Sequence, residues 1–177
     1  MRQKFRLAAF ILLALLALAG SAFLDYFLPE KTVTTITGVE VKLSDKDGPV
    51  SKSNPADGPA SDVFYIYTAR DVTDIRVYRN EDTRWGWPFY FKFDSADVQA
   101  RAAALASEKK PALITSYGWR ITMFSVYPNV TSVSLAAPDD SSWSFFRWFW
   151  FCLWGALLIA LAWGVHRLTR ARVQLKA

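Results

Sequence analysis

The sequence predicts two transmembrane helices flanking an exported, β-rich α+β domain. Three observations carry this reading. Leu7–Leu24 and Trp148–Val165 are charge-free runs of eighteen residues each. The tips outside them are purely basic. The segment between them is rich in β-branched residues, turn residues and rings, with one alanine-rich stretch.

The amino-terminal tip, residues 1–6, carries Arg2, Lys4 and Arg6. The first span is expected at 7–28, where apolar character continues, apart from Asp25, to the stop at Pro29. A helix needs about 20 apolar residues to cross a bilayer core of about 30 Å. Ala19-Gly20-Ser21-Ala22 also fits a signal-peptide cleavage site. The apolar run outlasts a usual h-region of about 7–15 residues, and Phe23, Leu24, Phe27 and Leu28 continue it past that site, which favours retention. Under either reading the middle of the chain is exported.

Residues 29–144 suffice for one small domain. Lys31–Lys42 alternates β-branched and polar residues and reads as a strand. Residues 44–61 hold Gly48-Pro49, Asn54-Pro55 and Gly58-Pro59 and read as a mobile loop. Val63–Tyr67 and Ile75–Tyr78 read as strands, and Phe91–Phe93 as a short extended segment. Asp94-Ser95 resembles an N-cap for a helix over Ala96–Ser107, stopped by Pro111. Ala112–Tyr117 and Asn129–Ala136 complete the strands, with a turn at Tyr127-Pro128-Asn129. Five strands with one helix between the third and fourth is the order of an OB-like five-stranded barrel. A generic α+β sandwich has the same elements and stands beside it.

The second span is expected at 145–165, with a cytoplasmic basic tail at 166–177. Rings crowd its outer end from Trp143 to Trp154, and Trp163 marks the inner one, as interfacial belts require. The basic tips place both termini in the cytoplasm of an inner-membrane protein and residues 29–144 in the periplasm. That middle holds thirteen Lys and Arg against fifteen Asp and Glu, a net charge of −2, so the overall +5 belongs to the ends and speaks against nucleic acid. Asp25 and Arg147 each lie about one helical turn inside a span, where a charge either pairs or reaches for water. They are a candidate pair across a helical hairpin. Ala156, Ala160 and Gly164 form a small-residue row suited to packing within the hairpin or in a homodimer.

The only His is His166 and the only Cys is Cys152, so residues 29–144 contain neither. This removes a Ser-His-Asp triad, a Cys nucleophile, an ordinary zinc site and disulfides from the exported part. Carboxylates remain. Glu81, Asp82 and Asp94 flank an aromatic stretch, Trp85–Phe93, in which six of nine residues are Trp, Tyr or Phe. Two such carboxylates beside rings would suit a glycan hydrolase. Asn80, Glu81 and Asp82 would suit calcium, but the same trio makes an ordinary polar turn. No metal and no cofactor is expected. The other function is binding, with Trp85, Trp87 and Trp119 as the contact rings and Arg79, Asp82 and Arg120 setting polarity. The partner would be another envelope protein, a lipid headgroup or a glycan. A third reading has Trp85-Gly86-Trp87-Pro88 filling the core, since each ring buries about 150–250 Å².

In "YRNEDTRWGWPFYFKFDS", "SYGWR" and "YPNV" the chain resembles a proteobacterial, mainly alphaproteobacterial, family of small two-span inner-membrane proteins known as a domain of unknown function. The resemblance covers nearly the whole chain. It implies two spans and a periplasmic domain, and it implies no activity.

Overall fold

The computed structural model describes residues 2–45, 48–50, 52–53, 55 and 57–174. In chain order the elements are α1 (Arg2–Phe27), β1 (Glu30–Asp45), β2 (Gly48–Pro49), β3 (Ser61–Ala69), β4 (Ile75–Asn80), α2 (Ser95–Glu108), β5 (Pro111–Tyr117), a 3-10 turn (Thr122–Phe124), β6 (Asn129–Leu135) and α3 (Phe145–Gln174). Contacts divide the chain into a helical unit, Met1–Leu28 with Ser144–Ala177, and a sheet unit, Pro29–Trp143.

In the helical unit, Arg6–Phe27 and Phe145–Arg167 are long and apolar enough to cross a membrane. The half-buried face of α1 is Leu13, Ala17, Gly20, Ser21 and Leu24, the spacing of one helical stripe. Trp154 of α3 lies against Gly20 so closely that a Cβ there would overlap its ring. The Trp154 indole N–H donates to Ser21 Oγ at 3.2 Å. The row Ala156, Ala160, Gly164 does not make this contact: both alanines are exposed, and a Cβ at Gly164 would meet open space. Close approach comes instead from a flat ring seated on a residue without a side chain. One turn before Pro29, the Arg147 guanidinium binds the Asp25 carboxylate and donates to the Leu28 carbonyl at 2.9 Å.

The sheet unit has five principal strands in a mixed sheet, with the two-residue β2 paired to the end of β1. β1 pairs antiparallel with β5 over Glu30–Thr35, then with β3 over Thr35–Ser44. An irregularity between Ile36 and Gly38 follows this change of partner. β3 pairs with β4, β4 meets β6 in parallel at Arg79–Asn129, and β6 pairs with β5. The pairings therefore return to β1. Alternate residues point inward, as a pleated strand requires: Thr32, Thr34 and Ile36 on β1, and Ala112, Ile114 and Ser116 on β5. The core is Ile36, Ile66, Tyr78, Ala112, Ile114, Val130 and Val133, covered by Val98 and Ala102 from one face of α2.

Four local expectations are corrected. Phe91–Phe93 is not a strand, because Phe91 takes a left-handed φ of 50° and the segment closes on its own base. Asp94 sits at the helix boundary but makes no side-chain capping bond. Pro111 opens β5 rather than separating it from the helix, which ends at left-handed Lys109. Within the expected loop 44–61, Ser44 and Asp45 pair with Pro49 and Gly48, while positions 46, 47, 51, 54 and 56 lie outside the described residues.

Candidate binding loop

The loop begins where β4 ends. Alternation along Ile75–Asn80 turns Tyr78 and Asn80 inward, and Asn80 is fully buried. A buried amide must be satisfied on both ends. The Asn80 Nδ2 donates to the Ser95 carbonyl at 2.8 Å and to Gln99 Oε1 at 3.1 Å. Its Oδ1 accepts from the Lys92 ammonium. Lys92 also donates to the Val130 carbonyl at 2.8 Å and lies 3.4 Å from the Glu81 carbonyl. Gln99 continues the network to the Tyr65 carbonyl at 3.3 Å. Loop, β4, α2, β3 and β6 are thus bonded through three buried polar side chains.

Lys92 is buried between two exposed rings, Phe91 and Phe93. Burial pushes its ammonium down to about 8, and the charges of Asp82, Asp94 and Glu81 oppose that shift. The loop closes above it: Arg84 N–H donates to the Lys92 carbonyl at 3.0 Å, and Lys92 N–H donates to Thr83 Oγ1 at 3.2 Å. Arg84 also takes a left-handed φ of 51°, which a non-glycine residue adopts only where the surroundings hold it.

The rings face outward. Trp85 is 76% exposed and Trp87 57%, and Phe89, Phe91 and Phe93 each exceed half. The core-filling reading of Trp85-Gly86-Trp87-Pro88 is therefore set aside. The rings contact one another. Trp85 stands edge-on to Phe91 and Phe93 at 5.6 and 5.3 Å, Trp87 edge-on to Phe89 at 5.2 Å, and Phe89 stacks with Phe91 at 6.2 Å. Tyr90 turns the other way and stacks on Tyr117 at 4.7 Å.

The carboxylates serve the scaffold. Asp82 Oδ1 accepts the Ser95 N–H at 2.9 Å, supplying the cap that Asp94 does not. Glu81 pairs with Arg79, and its N–H donates to Asn129 Oδ1 at 2.8 Å. Asp94 lies 3.9 Å from Arg101. Among the described residues, no group of three or more His, Cys, Asp or Glu converges to hold a metal ion.

A family model described as "Protein of unknown function (DUF1523)" matches residues 5–169. The chain belongs to that family. A Haemophilus influenzae (strain ATCC 51907 / DSM 11121 / KW20 / Rd) protein described as "Uncharacterized protein" is 52% identical over 141 residues, covering 80% of this chain and 81% of that one. No solved structure matches the chain. The family match spans both apolar helices and the whole sheet, so the aromatic loop belongs to the family domain itself.

The remaining predicted residues sit on the β5–β6 connection. Gly118 turns the chain with a φ of 94°, a conformation that favours glycine. Trp119 beyond it is 38% exposed. Arg120 lies 4.1 Å over the Tyr127 ring and donates to the Val126 carbonyl at 2.9 Å, so its charge is engaged locally. Sequence reasoning had Asn80 as a calcium candidate and missed the buried bonds that join it to Lys92 and Gln99. It also missed Met123 and Phe124, 85% and 71% exposed on the 3-10 turn.

Proposed function

We propose that this chain is a membrane-tethered binding module of the bacterial cell envelope. Its two apolar helices cross the inner membrane, both termini are cytoplasmic, and residues 29–144 form an OB-type barrel in the periplasm. The return of the strand pairing to β1, with α2 between β4 and β5, supports the barrel. The basic tips support the orientation.

One observation carries the binding role: five rings from Trp85 to Phe93 are exposed, in mutual contact, and fixed from below by Lys92. A contiguous exposed apolar patch marks an interaction site, and rings held in place lose little entropy on contact. The hydrolase reading lacks support, because Asp82, Glu81 and Asp94 each answer a scaffold group. A photo-crosslinking residue at position 87 in living cells tests the proposal. It should capture a defined species, whereas the same residue at Val72, which is 91% exposed at the β3–β4 turn, should not. Equal labelling from both positions contradicts it.

A further inference from the structure

We infer that the Arg84–Phe93 loop and the β5–β6 turn together dock on a lipid bilayer surface, with their rings in its interfacial layer. The inference rests on the membrane-tethered reading above and names the partner of that surface.

The composition favours lipid. Thr83–Phe93 contains Arg84 and Lys92 but no acidic residue. Of its five exposed rings, three are Phe, which carry no hydrogen-bonding group. A sugar stacked on a ring also needs fixed polar partners around it. The polar side chains expected to set the polarity of such a site are already engaged: Asp82 on Ser95, Arg79 on Glu81, and Arg120 on Val126 and Tyr127. A bilayer interface asks only for rings, apolar side chains and a cation at the rim.

The strand register adds an independent argument. Glu30 pairs with Ser116, Tyr117 with Asn129, and Asn129 with Arg79. The start of β1, the end of β5, the start of β6 and the end of β4 therefore lie in one row. At about 4.8 Å between strands, that row is about 14 Å long. The aromatic loop leaves it after Asn80 and the β5–β6 turn leaves it after Tyr117. The chain enters it at Glu30, with only Pro29 after Leu28. The exposed rings of the loop, together with Trp119, Met123 and Phe124, thus hang from the end of the sheet through which the chain arrives from α1. At the opposite end, Leu135 pairs with Ala112.

The test uses the full chain with Cys152→Ser, carrying Phe89→Cys labelled with a small environment-sensitive fluorophore, in phosphatidylcholine nanodiscs. Acyl chains brominated near the headgroup should quench the label at least twofold, and aqueous iodide should not reach it. The second site, Phe124→Cys, should behave the same way, and Val72→Cys should show the reverse. Iodide quenching at both 89 and 124 overturns the inference and also removes the covered surface. Protection from both quenchers overturns lipid docking but leaves a binding face, covered by a second copy or another protein.

Discussion

The Lys92 ammonium donates to the Asn80 side-chain oxygen, and Asn80 in turn donates to the Ser95 carbonyl, so one buried lysine joins the aromatic loop to the first turn of α2. Its titration gives a signed prediction. Burial lowers its pKa from the ordinary 10.5 to about 8. Below pH 8 both folded and unfolded chains hold the proton, and the full burial cost is present. Between pH 8 and 10.5 the unfolded chain binds more protons, so this group's contribution to stability rises with pH. Relative to Lys92→Met, the wild type should gain up to about 3 kcal/mol across that window. Urea unfolding at pH 7, 8.5 and 10 reads it, and a constant difference between the two proteins contradicts it.

The helix cap separates two neighbouring acids. Asp82→Ala should cost about 1 kcal/mol, because the Ser95 N–H loses its acceptor. Asp94→Ala should change stability by less than about 0.5 kcal/mol, because Asp94 makes no capping bond and its pair with Arg101 is exposed. Thermal melts of the two variants test the assignment, and equal costs contradict it.

These two residues also show what was legible. Strands and helices were readable where pattern is local: alternation along β1 and β5, and the alanine-rich stretch that became α2. Asp94 looked like the cap because it precedes the helix. Asp82 was hidden because it reaches Ser95 across thirteen residues, through a loop whose closure no local pattern encodes. The same non-locality hid Lys92, whose partners lie on β4 and β6. Trp85 and Trp87 could be named as candidates, but whether they face core or water depends on that closure. The small-residue row on α3 drew attention to the wrong face, because Gly20 on the partner helix is a single residue and forms no repeat.

Gly20→Ala should loosen the contact between the two apolar helices, since its Cβ would meet the Trp154 ring. Overpacking of this kind costs about 1–3 kcal/mol. Gly155→Ala, which meets open space, should be neutral. Unfolding of both variants in matched micelles tests the contrast, and a neutral Gly20→Ala contradicts it.

Arg147 holds the Asp25 carboxylate, the Leu28 and Asp25 carbonyls, and lies over the Phe151 ring. Arg147→Ala should therefore cost more than Asp25→Ala, and the double variant should cost less than their sum. A coupling above about 0.5 kcal/mol is expected for groups in direct contact. Additive losses in a double-mutant cycle contradict the pair.

The central claim is that Trp85 and Trp87 form an outward contact surface rather than core. The most direct measurement is the stability of Trp85→Ala combined with Trp87→Ala. The exposed placement predicts a loss below about 2 kcal/mol, confined to ring contacts within the loop, together with loss of crosslinks from position 89. A loss of 3 kcal/mol or more, the cost of emptying a core site, contradicts it.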